Sequence, residues 1–482
     1  MKFWIAGLST VFAITGCDAF TQGYSTAHAQ EVTATSGDLS DRETCLDLAQ
    51  IADENGNLIY IPQIPKDAIA PCEAAYNATP GDMNIAIAFA RTLSKDADRH
   101  DELDPLIAKF EPDATGQMDY VRGIIAVRGD GVEESKDDAR MWMRKSADKG
   151  FLHGIEEYAD MSYDEDASDD DKRAVIALYE RAAKAGSSEA YAELADVYDD
   201  DFLLEESPEK AREYAQKSAD MGNLKGQRYL GYYFETGYGG PKDYEQMTRY
   251  YTLSAQGGDT YAKSNLGYNY YWGNGVEENN ALALKWFTEA SDEGNTRSKY
   301  YLGEMYSNGY GVDKDYVLAA SYYRGAAKDD YANAYNGLGL LAKNGDGMTQ
   351  DYELAKNYFE RGVELNCFNC LPNIGLLYEN GLGVDRDMGK AVEMYIQSAE
   401  DGNGWSSDKL GNLYLSGRGV DKDADVAMTY FLQAVDADDR VSSAKAIDTF
   451  ILENDNWRDL VSKDTAAKID FPRAKWRKLS RG

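Results

Sequence analysis

The stretch LGYNYYWGNGVEENNALALKWFTEA, residues 266–290, decides the fold, because it returns almost in step as LGEMYSNGYGVDKDYVLAASYYRGA at residues 302–326. The two copies are offset by 36 residues. Counting from Gly231 by the same interval reaches small residues over much of the chain, and a period in this range is typical of α-helical solenoids. These marker residues are Gly123, Ala159, Ala195, Gly231, Gly267, Gly303, Gly339, Gly375 and Gly411.

Each period predicts a pair of antiparallel helices. An apolar residue precedes the marker and an aromatic residue follows it, as Leu302 and Tyr306 do, so that both lie on one helical face. A Gly-x-Gly pair is expected to end the first helix, because glycine adopts left-handed conformations at little cost. The second helix then begins after an acidic N-cap. The predicted N-caps are Asp243, Asp315, Asp351, Asp387 and Asp423.

The shared motif, L-G-x-x-Y-x-x-G-x-G-V-x-x-D-x-x-x-A-x-x-W/Y-Y/F-x-x-A, resembles the Sel1-like repeat, a relative of the tetratricopeptide repeat. The resemblance covers nine repeats over residues 116–439 and implies an all-α fold, a right-handed α/α solenoid superhelix of helix-turn-helix units with helical caps. The units marked by Ala159 and Ala195 depart from the motif, since acidic stretches, Asp164–Asp171 and Asp199–Asp201, replace the Gly-x-Gly turn. We interpret these stretches as solvated loops, because the spacing of a calcium-binding loop is missing.

The beginning of the chain has the pattern of an export signal. Lys2 is followed by an apolar run over residues 3–14, which is too short for a stable membrane span. The sequence therefore predicts a signal peptide over residues 1–16 and a flexible linker over residues 17–40.

Two processing sites compete after this signal. The residues that end at Cys17 are similar to a bacterial lipobox, in which Cys17 would carry the lipid and tether the chain to a membrane. The alternative is ordinary signal-peptidase cleavage after Ala29, which follows a small-x-small pattern. We favour lipidation at Cys17 and expect a periplasmic, membrane-anchored lipoprotein, with a soluble periplasmic or secreted protein as the alternative.

The four cysteines beyond the lipidation candidate are expected to pair in an oxidising compartment. Cys45 and Cys72 belong to a predicted N-terminal helical cap over residues 41–115, where a bridge closing such a loop contributes roughly 3 to 4 kcal/mol. Cys367 and Cys370 fall in the link between two units. A redox-active Cys-x-x-Cys is the alternative for this second pair, but a structural disulfide is favoured because no thioredoxin-like βαβ pattern surrounds it.

The end of the chain, residues 440–482, lacks the repeat spacing and is predicted to form a C-terminal helical cap. Its last stretch is basic in an otherwise acidic chain. This tail is expected to fold back onto acidic helices or to lie against lipid headgroups. Its basic residues are Arg473, Lys475, Arg477, Lys478 and Arg481.

Charge and residue content exclude several classes of function. The chain has 84 acidic and 50 basic residues, a formal net charge of −34, which repels nucleic acid. It contains 3 histidines and no G-x-S-x-G or H-E-x-x-H motif. We therefore predict no catalytic residue, no metal ligand, no cofactor and no nucleic-acid partner.

A candidate binding groove follows from the resemblance. In tetratricopeptide-like arrays the concave face is lined by residues of the first helix around the marker. Carried onto this sequence, that face combines aromatic, arginine and asparagine side chains, a composition typical of recognition surfaces. The predicted groove consists of Arg228, Tyr232, Tyr261, Tyr268, Tyr271, Trp272, Arg297, Tyr300, Asn333 and Asn336, with Asn369 in the following unit.

Two functions remain open at this point. The favoured one is a non-enzymatic scaffold of the bacterial cell envelope that binds a partner protein or peptide in the groove. The alternative is a peptidoglycan- or glycan-binding envelope protein with weak hydrolase activity, because tyrosine and tryptophan rings suit the faces of sugars. The sequence does not name the partner or the oligomeric state.

Overall fold

The structure is a computed structural model that describes residues 45, 69–79, 81–93, 99, 102–110, 115–128, 135–162, 168–199, 207–438 and 440–470. Across these residues all regular structure is helical. The chain divides into two compact units, residues 1–161 and 162–482. The predicted signal peptide, the linker with Cys17 and Ala29, and the basic tail lie outside the described residues.

Unit 1 contains six described helices around one apolar core. Phe89 stacks on Tyr76 at 5.5 Å between ring centroids, and the Cys45–Cys72 disulfide lies buried in the same core. Arg99 forms bidentate hydrogen bonds with the carboxylate of Glu73. The helices are α1 (Ile69–Ala78), α2 (Met83–Leu93), α3 (Leu103–Ala108), α4 (Gln117–Arg128), α5 (Lys136–Asp148) and α6 (Leu152–Asp160).

Unit 2 is a stack of antiparallel helix pairs, in which the first helix of each pair is called the A helix and the second the B helix. It opens with one B helix, α7 (Asp169–Lys184). The A helices are α8 (Ser188–Asp199), α10 (Leu224–Thr236), α12 (Thr260–Trp272), α14 (Thr296–Asn308), α16 (Ala332–Asn344), α18 (Cys370–Asn380) and α20 (Gly404–Ser416). The B helices that follow them are α9 (Pro208–Asp220), α11 (Tyr244–Gln256), α13 (Asn280–Asp292), α15 (Tyr316–Ala327), α17 (Tyr352–Glu364), α19 (Met388–Glu400) and α21 (Ala424–Asp438).

The marker glycines allow the two helices of a pair to pack closely. A methyl group on Gly303 would lie 2.5 Å from the Tyr323 ring of the B helix, closer than real Cβ contacts come. Every other marker glycine of unit 2 meets an aromatic ring in the same way. The pairs are Gly231 with Tyr251, Gly267 with Phe287, Gly339 with Phe359, Gly375 with Tyr395 and Gly411 with Phe431. Because these rings are fully or almost fully buried, each pair contributes a large side chain to the core.

The turns and caps form as the sequence predicts. Gly309 and Gly311 have φ of 78° and 72°, which a side chain would strain, and Gly309 is the C-cap of α14. Asp315 then accepts a hydrogen bond from the Leu318 backbone N–H at 2.9 Å and starts α15. The remaining four predicted aspartates cap their B helices through the same kind of bond.

One of the two altered units differs from its expected turn. Asp169, Asp170 and Asp171 were expected to form part of an acidic loop, but they occupy the first turn of α7 behind the N-cap Ser168. Acidic side chains are favourable there, because the N-terminal end of a helix carries partial positive charge. The remaining residues of that turn, and those of the next, lie outside the described residues, apart from Asp199 at the end of α8.

The C-terminal end of unit 2 covers the last B helix. Helices α22 (Val441–Glu453) and α23 (Lys463–Asp470), with a short 3₁₀ turn at Trp457–Asp459, pack their apolar side chains on α21. Trp457 and Phe431 belong to this buried cluster. The described part of the predicted C-terminal cap is therefore helical.

Candidate interaction surface on the A helices

The predicted groove residues belong to the A helices of unit 2, and successive A helices from α12 to α18 contact one another. Positions six, three and two residues before each marker recur on the same side of the helix, because three and four residues make about one turn. Two clefts open along this surface. Both lie where a B helix ends and the next A helix begins.

The first cleft, called the arginine cleft, has a volume of about 530 Å³ and lies against the start of α14. It contains two predicted groove residues, Tyr261 and Arg297. Tyr261 is 65% exposed and offers its ring to solvent. The lining consists of Thr260, Tyr261, Ser264, Asn265, Glu293, Gly294, Asn295, Thr296, Arg297 and Tyr331.

The guanidinium group of Arg297 is fixed by aromatic and amide contacts. It lies 4.3 Å from the centre of the Tyr268 ring, and its Nη1 donates a hydrogen bond to Asn265 Oδ1 at 3.2 Å. Cation–π contacts of this kind hold a guanidinium in place and leave its charge uncompensated. Arg297 therefore presents an oriented cation at the cleft.

The second cleft, called the asparagine cleft, has a volume of about 590 Å³ and lies against the start of α20. Four asparagines and two aromatic rings define its chemistry, and Phe368 is 56% exposed. Asn336 and Asn369 were predicted for the groove. The lining consists of Asn336, Phe368, Asn369, Pro372, Asn373, Leu376, Asp401, Gly402, Asn403, Trp405 and Arg440.

Hydrogen bonds between repeats orient the asparagine amides. Asn373 donates to Asn336 Oδ1 at 3.0 Å, and Asn403 donates to Asn369 Oδ1 at 3.5 Å. Because their oxygens accept these bonds, Asn336 and Asn369 keep their N–H groups for a ligand. The cleft thus offers donors in fixed positions.

A disulfide holds one wall of the asparagine cleft. Cys367 and Cys370 are bonded to each other and buried, and the two residues between them, Phe368 and Asn369, line the cleft. The backbone N–H of Cys370 also donates to the Cys367 carbonyl oxygen at 3.0 Å. The pair therefore closes a tight turn that carries two cleft residues.

Helix α16 joins the two clefts. Tyr331, its N-cap, lines the arginine cleft, and Asn336, one turn further, lines the asparagine cleft. Burial raises the Tyr331 pKa, and the positive charge of Arg297 and a side-chain hydrogen bond with Asn333 oppose this only in part. A ligand that follows the A helices would meet both clefts in succession.

Two carboxyl groups are linked to the clefts through tyrosine rings and differ in their electrostatics. Glu304 bonds to Tyr300, which packs on the cleft residue Tyr331, and Glu379 bonds to Tyr395, which packs on the cleft residue Trp405. Glu304 accepts a hydrogen bond from Tyr323 at 2.5 Å, and burial raises the Glu304 pKa above 4.5. Glu379 accepts from Tyr395 at 2.7 Å and pairs with Lys409 and Arg418. Burial opposes ionisation of Glu379, but the bonds from Tyr395 and Lys409 and the two positive charges outweigh it and lower the pKa of this carboxyl.

The repeats of this chain match those of a known family. A family model described as Sel1 repeat matches nine segments that together cover more than half of the chain. The matched segments are residues 123–151, 172–187, 188–223, 224–259, 260–295, 296–331, 332–367, 373–403 and 408–439.

The chain belongs to the Sel1 repeat family. The shortest match, residues 172–187, covers only the B helix of the Ala159 unit, where the Gly-x-Gly turn is missing. Sel1 repeats and related helical repeats generally mediate protein–protein interaction, and scaffolds of this family are generally non-enzymatic. This fits a surface that presents binding groups.

One solved structure with an SLR fold shares the architecture of this chain. A protective antigen of uropathogenic Escherichia coli strains, displaying an SLR fold, is 21% identical, covers 87% of this chain and 94% of that chain, and gives a TM-score of 0.61. A Sel1 repeat protein from Oxalobacter formigenes is 25% identical and covers 51% of this chain and 96% of that chain, with a TM-score of 0.47. No curated protein sequence matches this chain.

The other predicted groove residues of these Sel1 repeats lie outside the cleft linings. Tyr271 is 8% exposed and packs beneath Trp272, with 5.0 Å between ring centroids, so it supports the surface and offers little area to a ligand. Tyr300 packs on Tyr331 at 5.1 Å. Trp272 and Tyr232 are exposed.

Arg228, the second predicted arginine of the groove, is already paired. Its Nε lies 3.2 Å from Asp259 Oδ2, and its guanidinium also contacts the Tyr261 ring at 5.3 Å. Its charge is therefore compensated within the chain.

The cleft residues that sequence reasoning missed include Tyr331, Phe368, Asn373 and Trp405. Trp405 could have been found, because it stands six residues before its marker, as Tyr261 and Arg297 do. Phe368 lies in the link between units, where the helical period carries no information.

The described part of the chain contains neither a candidate metal site nor a candidate membrane-spanning helix. Among those residues, no group of three or more His, Cys, Asp or Glu side chains could hold a metal ion. Their helices also include none that is long and apolar enough to cross a bilayer.

Proposed function

We propose that this chain is a non-enzymatic interaction scaffold of the bacterial cell envelope, which binds an extended segment of a partner protein along the A helices of unit 2. The asparagine cleft carries the proposal. Asn336 and Asn369 present amide donors whose orientation is fixed by bonds to the neighbouring repeats. An asparagine amide pairs well with a peptide main chain, which offers carbonyl acceptors whatever its side chains are.

Two aromatic side chains add apolar area beside these donors. Phe368 is exposed at the cleft, and Trp405 is held by an edge contact with Tyr395 at 5.7 Å and by Lys409. Exposed aromatic side chains beside fixed polar groups are typical of binding hot spots. The combination suits a segment with alternating main-chain and apolar contacts.

The envelope location rests on the sequence. The export signal over residues 1–16, the lipobox-like Cys17 and the use of paired cysteines all fit a lipoprotein exposed to an oxidising compartment. Mass spectrometry of the mature N-terminus tests this part. A lipid-modified Cys17 supports it, whereas an unmodified chain that starts at Gln30 would show that the protein is not anchored by lipid.

In-cell photocrosslinking tests the binding surface. A photoreactive phenylalanine analogue at position 368 or 261 is expected to crosslink one partner protein, whereas the same analogue at the exposed B-helix position Val317 is expected to give none. Crosslinking at 368 should disappear in Asn336→Ala/Asn369→Ala. Equal crosslinking at Val317, or no effect of the double substitution, would contradict the proposal.

Glycan binding is the second candidate, because Phe368 and Trp405 with neighbouring amides also suit a sugar face. Purified muropeptides distinguish the two candidates. Muropeptide binding that is lost in Asn336→Ala/Asn369→Ala, together with unchanged protein crosslinks, would favour the glycan.

A further inference from the structure

Arg297 differs from the other predicted groove arginine in its charge balance. Arg228 forms an ion pair with Asp259 at 3.2 Å. Arg297 donates to the neutral amide of Asn265 and stacks on Tyr268, and no carboxylate among the described residues forms an ion pair with it. One of two similar cations is therefore available to an external anion.

The acidic side chains near Arg297 are occupied by other partners. Glu293, at the rim of the arginine cleft, is bound by Lys263 and by the Thr260 hydroxyl. In the next link, Asp329 is bound by Lys299 at 3.1 Å and by a threonine hydroxyl. Each carboxylate is thus balanced by its own lysine, and the charge of Arg297 remains at the cleft.

A second polar group in the arginine cleft also lacks a partner. Ser264 is 2% exposed and lines the cleft, and its hydroxyl makes no hydrogen bond within the described chain. Such buried groups are uncommon unless a ligand or water satisfies them. The start of α14 lies at the same place, and a helix N-terminus favours negative charge.

We infer that the segment bound by the A helices carries a carboxylate, which Arg297 binds in the arginine cleft while the asparagine cleft binds the adjoining main chain. This inference rests on the proposed function and names the chemistry of its ligand. Packed helices lie about 8 to 10 Å apart, and Arg297 stands on α14, Asn336 on α16 and Asn369 at the N-cap of α18. An extended chain advances about 3.3 Å per residue, so the carboxylate lies roughly three to six residues from the segment in the asparagine cleft.

The net charge of −34 does not prevent Arg297 from binding a carboxylate. Exposed charges beyond about 8 to 10 Å are largely screened at physiological ionic strength, whereas Arg297 would touch its ligand directly. A guanidinium that meets a carboxylate in a partly enclosed cleft forms charge-assisted hydrogen bonds. The distant acidic surface slows the approach of an acidic segment, but the bound contact is local.

The test uses a phage-displayed library of random 16-residue peptides, selected on the full-length protein. Selected peptides are expected to contain Asp or Glu at one fixed position, and as synthetic peptides to lose at least tenfold in affinity for Arg297→Gln. Arg324→Gln, at an exposed position of the B helix α15, is the matched control and should lose less than twofold. Replacing the acidic residue of the peptide by its amide should weaken binding to wild type, with little further loss for Arg297→Gln.

The outcomes separate the inference from the proposed function. Selection of no peptide, or of peptides insensitive to both clefts, contradicts the proposed function itself. Peptides that need Asn336 and Asn369 but carry no acid, or that are basic, overturn only the inference. Amidating the C-terminus of the synthetic peptide distinguishes a terminal carboxylate from a side chain, and an unchanged unfolding midpoint of Arg297→Gln excludes misfolding.

Discussion

The arginine cleft and the asparagine cleft occupy the same place in the repeat but carry different side chains. Each opens where a B helix meets the next A helix. Six residues before the marker, the first has Tyr261 and Arg297, and the second has Asn369 and Trp405. The backbone of the repeat thus fixes where a cleft forms, and a few positions that differ between the repeats set the chemistry of its lining.

The carboxyl groups that are linked to the two clefts through tyrosine rings also differ. Tyr323 donates to Glu304, and Tyr395 donates to Glu379. Lys409 pairs with Glu379, whereas Glu304 has tyrosine and asparagine partners. Glu379 is therefore held as an anion, whereas Glu304 is half-buried and has no cation beside it among the described residues.

The largest effect is predicted for the loss of Glu379, the carboxyl group that is linked to the asparagine cleft through Tyr395 and Trp405. Glu379→Ala leaves Tyr395, Lys409 and Arg418 without their shared acceptor, and Glu379 is only 7% exposed. Losing the buried acceptor of the Tyr395 hydroxyl and the shared partner of two partly exposed cations should lower the free energy of unfolding by about 3 kcal/mol. Urea unfolding followed by tryptophan fluorescence measures it.

Glu360→Ala is the control for this variant. Glu360 is itself exposed and forms a partly exposed ion pair with Lys356 at 2.8 Å, and its loss should change the free energy of unfolding by less than about 1 kcal/mol. If the two variants lose equal stability, the cation-paired carboxyl has no special role in this cleft.

The second effect acts on the helix pair that carries Arg297. Gly303→Ala would press a methyl group against the Tyr323 ring at 2.5 Å, and overpacking of this kind should cost about 2 kcal/mol. Gly325→Ala makes the same change in α15, where the nearest atom lies at 3.5 Å. It should stabilise the protein by about 0.5 to 1 kcal/mol, because alanine is the better helix former. Opposite shifts of the unfolding midpoint are expected, and shifts of the same sign would contradict the close packing of the marker.

The parts of this structure that the sequence predicts are those with a local cause that recurs. Glycine is needed at the marker wherever an aromatic ring of the B helix packs against the A helix. An aspartate at the position of Asp315 recurs because each B helix needs an N-cap. Each cause lies within one period. The helix pairs, turns and caps could therefore be predicted before any contact was known.

The candidate site was predictable only in part, because its walls come from several periods. Tyr271 was expected on the surface but is buried. It stands four residues after its marker, and Glu379, at the same position of a later repeat, is buried too. Tyr331 and Phe368 enter the clefts through the links between repeats, whose geometry depends on both flanking helices. The charge balance of Arg297 depends on neighbours in other repeats, so it required the structure.

A smaller effect concerns the turn that carries Phe368 and Asn369. Cys367→Ser/Cys370→Ser opens a very short loop, so the loss of stability should stay below about 2 kcal/mol. Hydrogen exchange measured by mass spectrometry should rise in residues 364–372, because the disulfide no longer holds the turn. Residues 292–300 of the arginine cleft are the internal control, and faster exchange in both segments would mean that the disulfide stabilises the whole array.

The smallest effect separates the two carboxyls by pH. Burial raises the Glu304 pKa above 4.5, so its contribution to stability is full below that pH and is lost as pH rises through the folded pKa. The Glu379 pKa is lowered, so its contribution is present above pH 4.5 and is lost as pH falls through its folded pKa. Relative to wild type, Glu304→Gln should therefore gain stability from pH 5 to pH 8, and Glu379→Gln should lose less as the pH falls below 4.5. Urea midpoints measured from below pH 4.5 to pH 8 give, for each variant, the slope of the stability difference from wild type against pH. Slopes of the same sign for the two variants would show that the lysine and arginine around Glu379 do not set its charge.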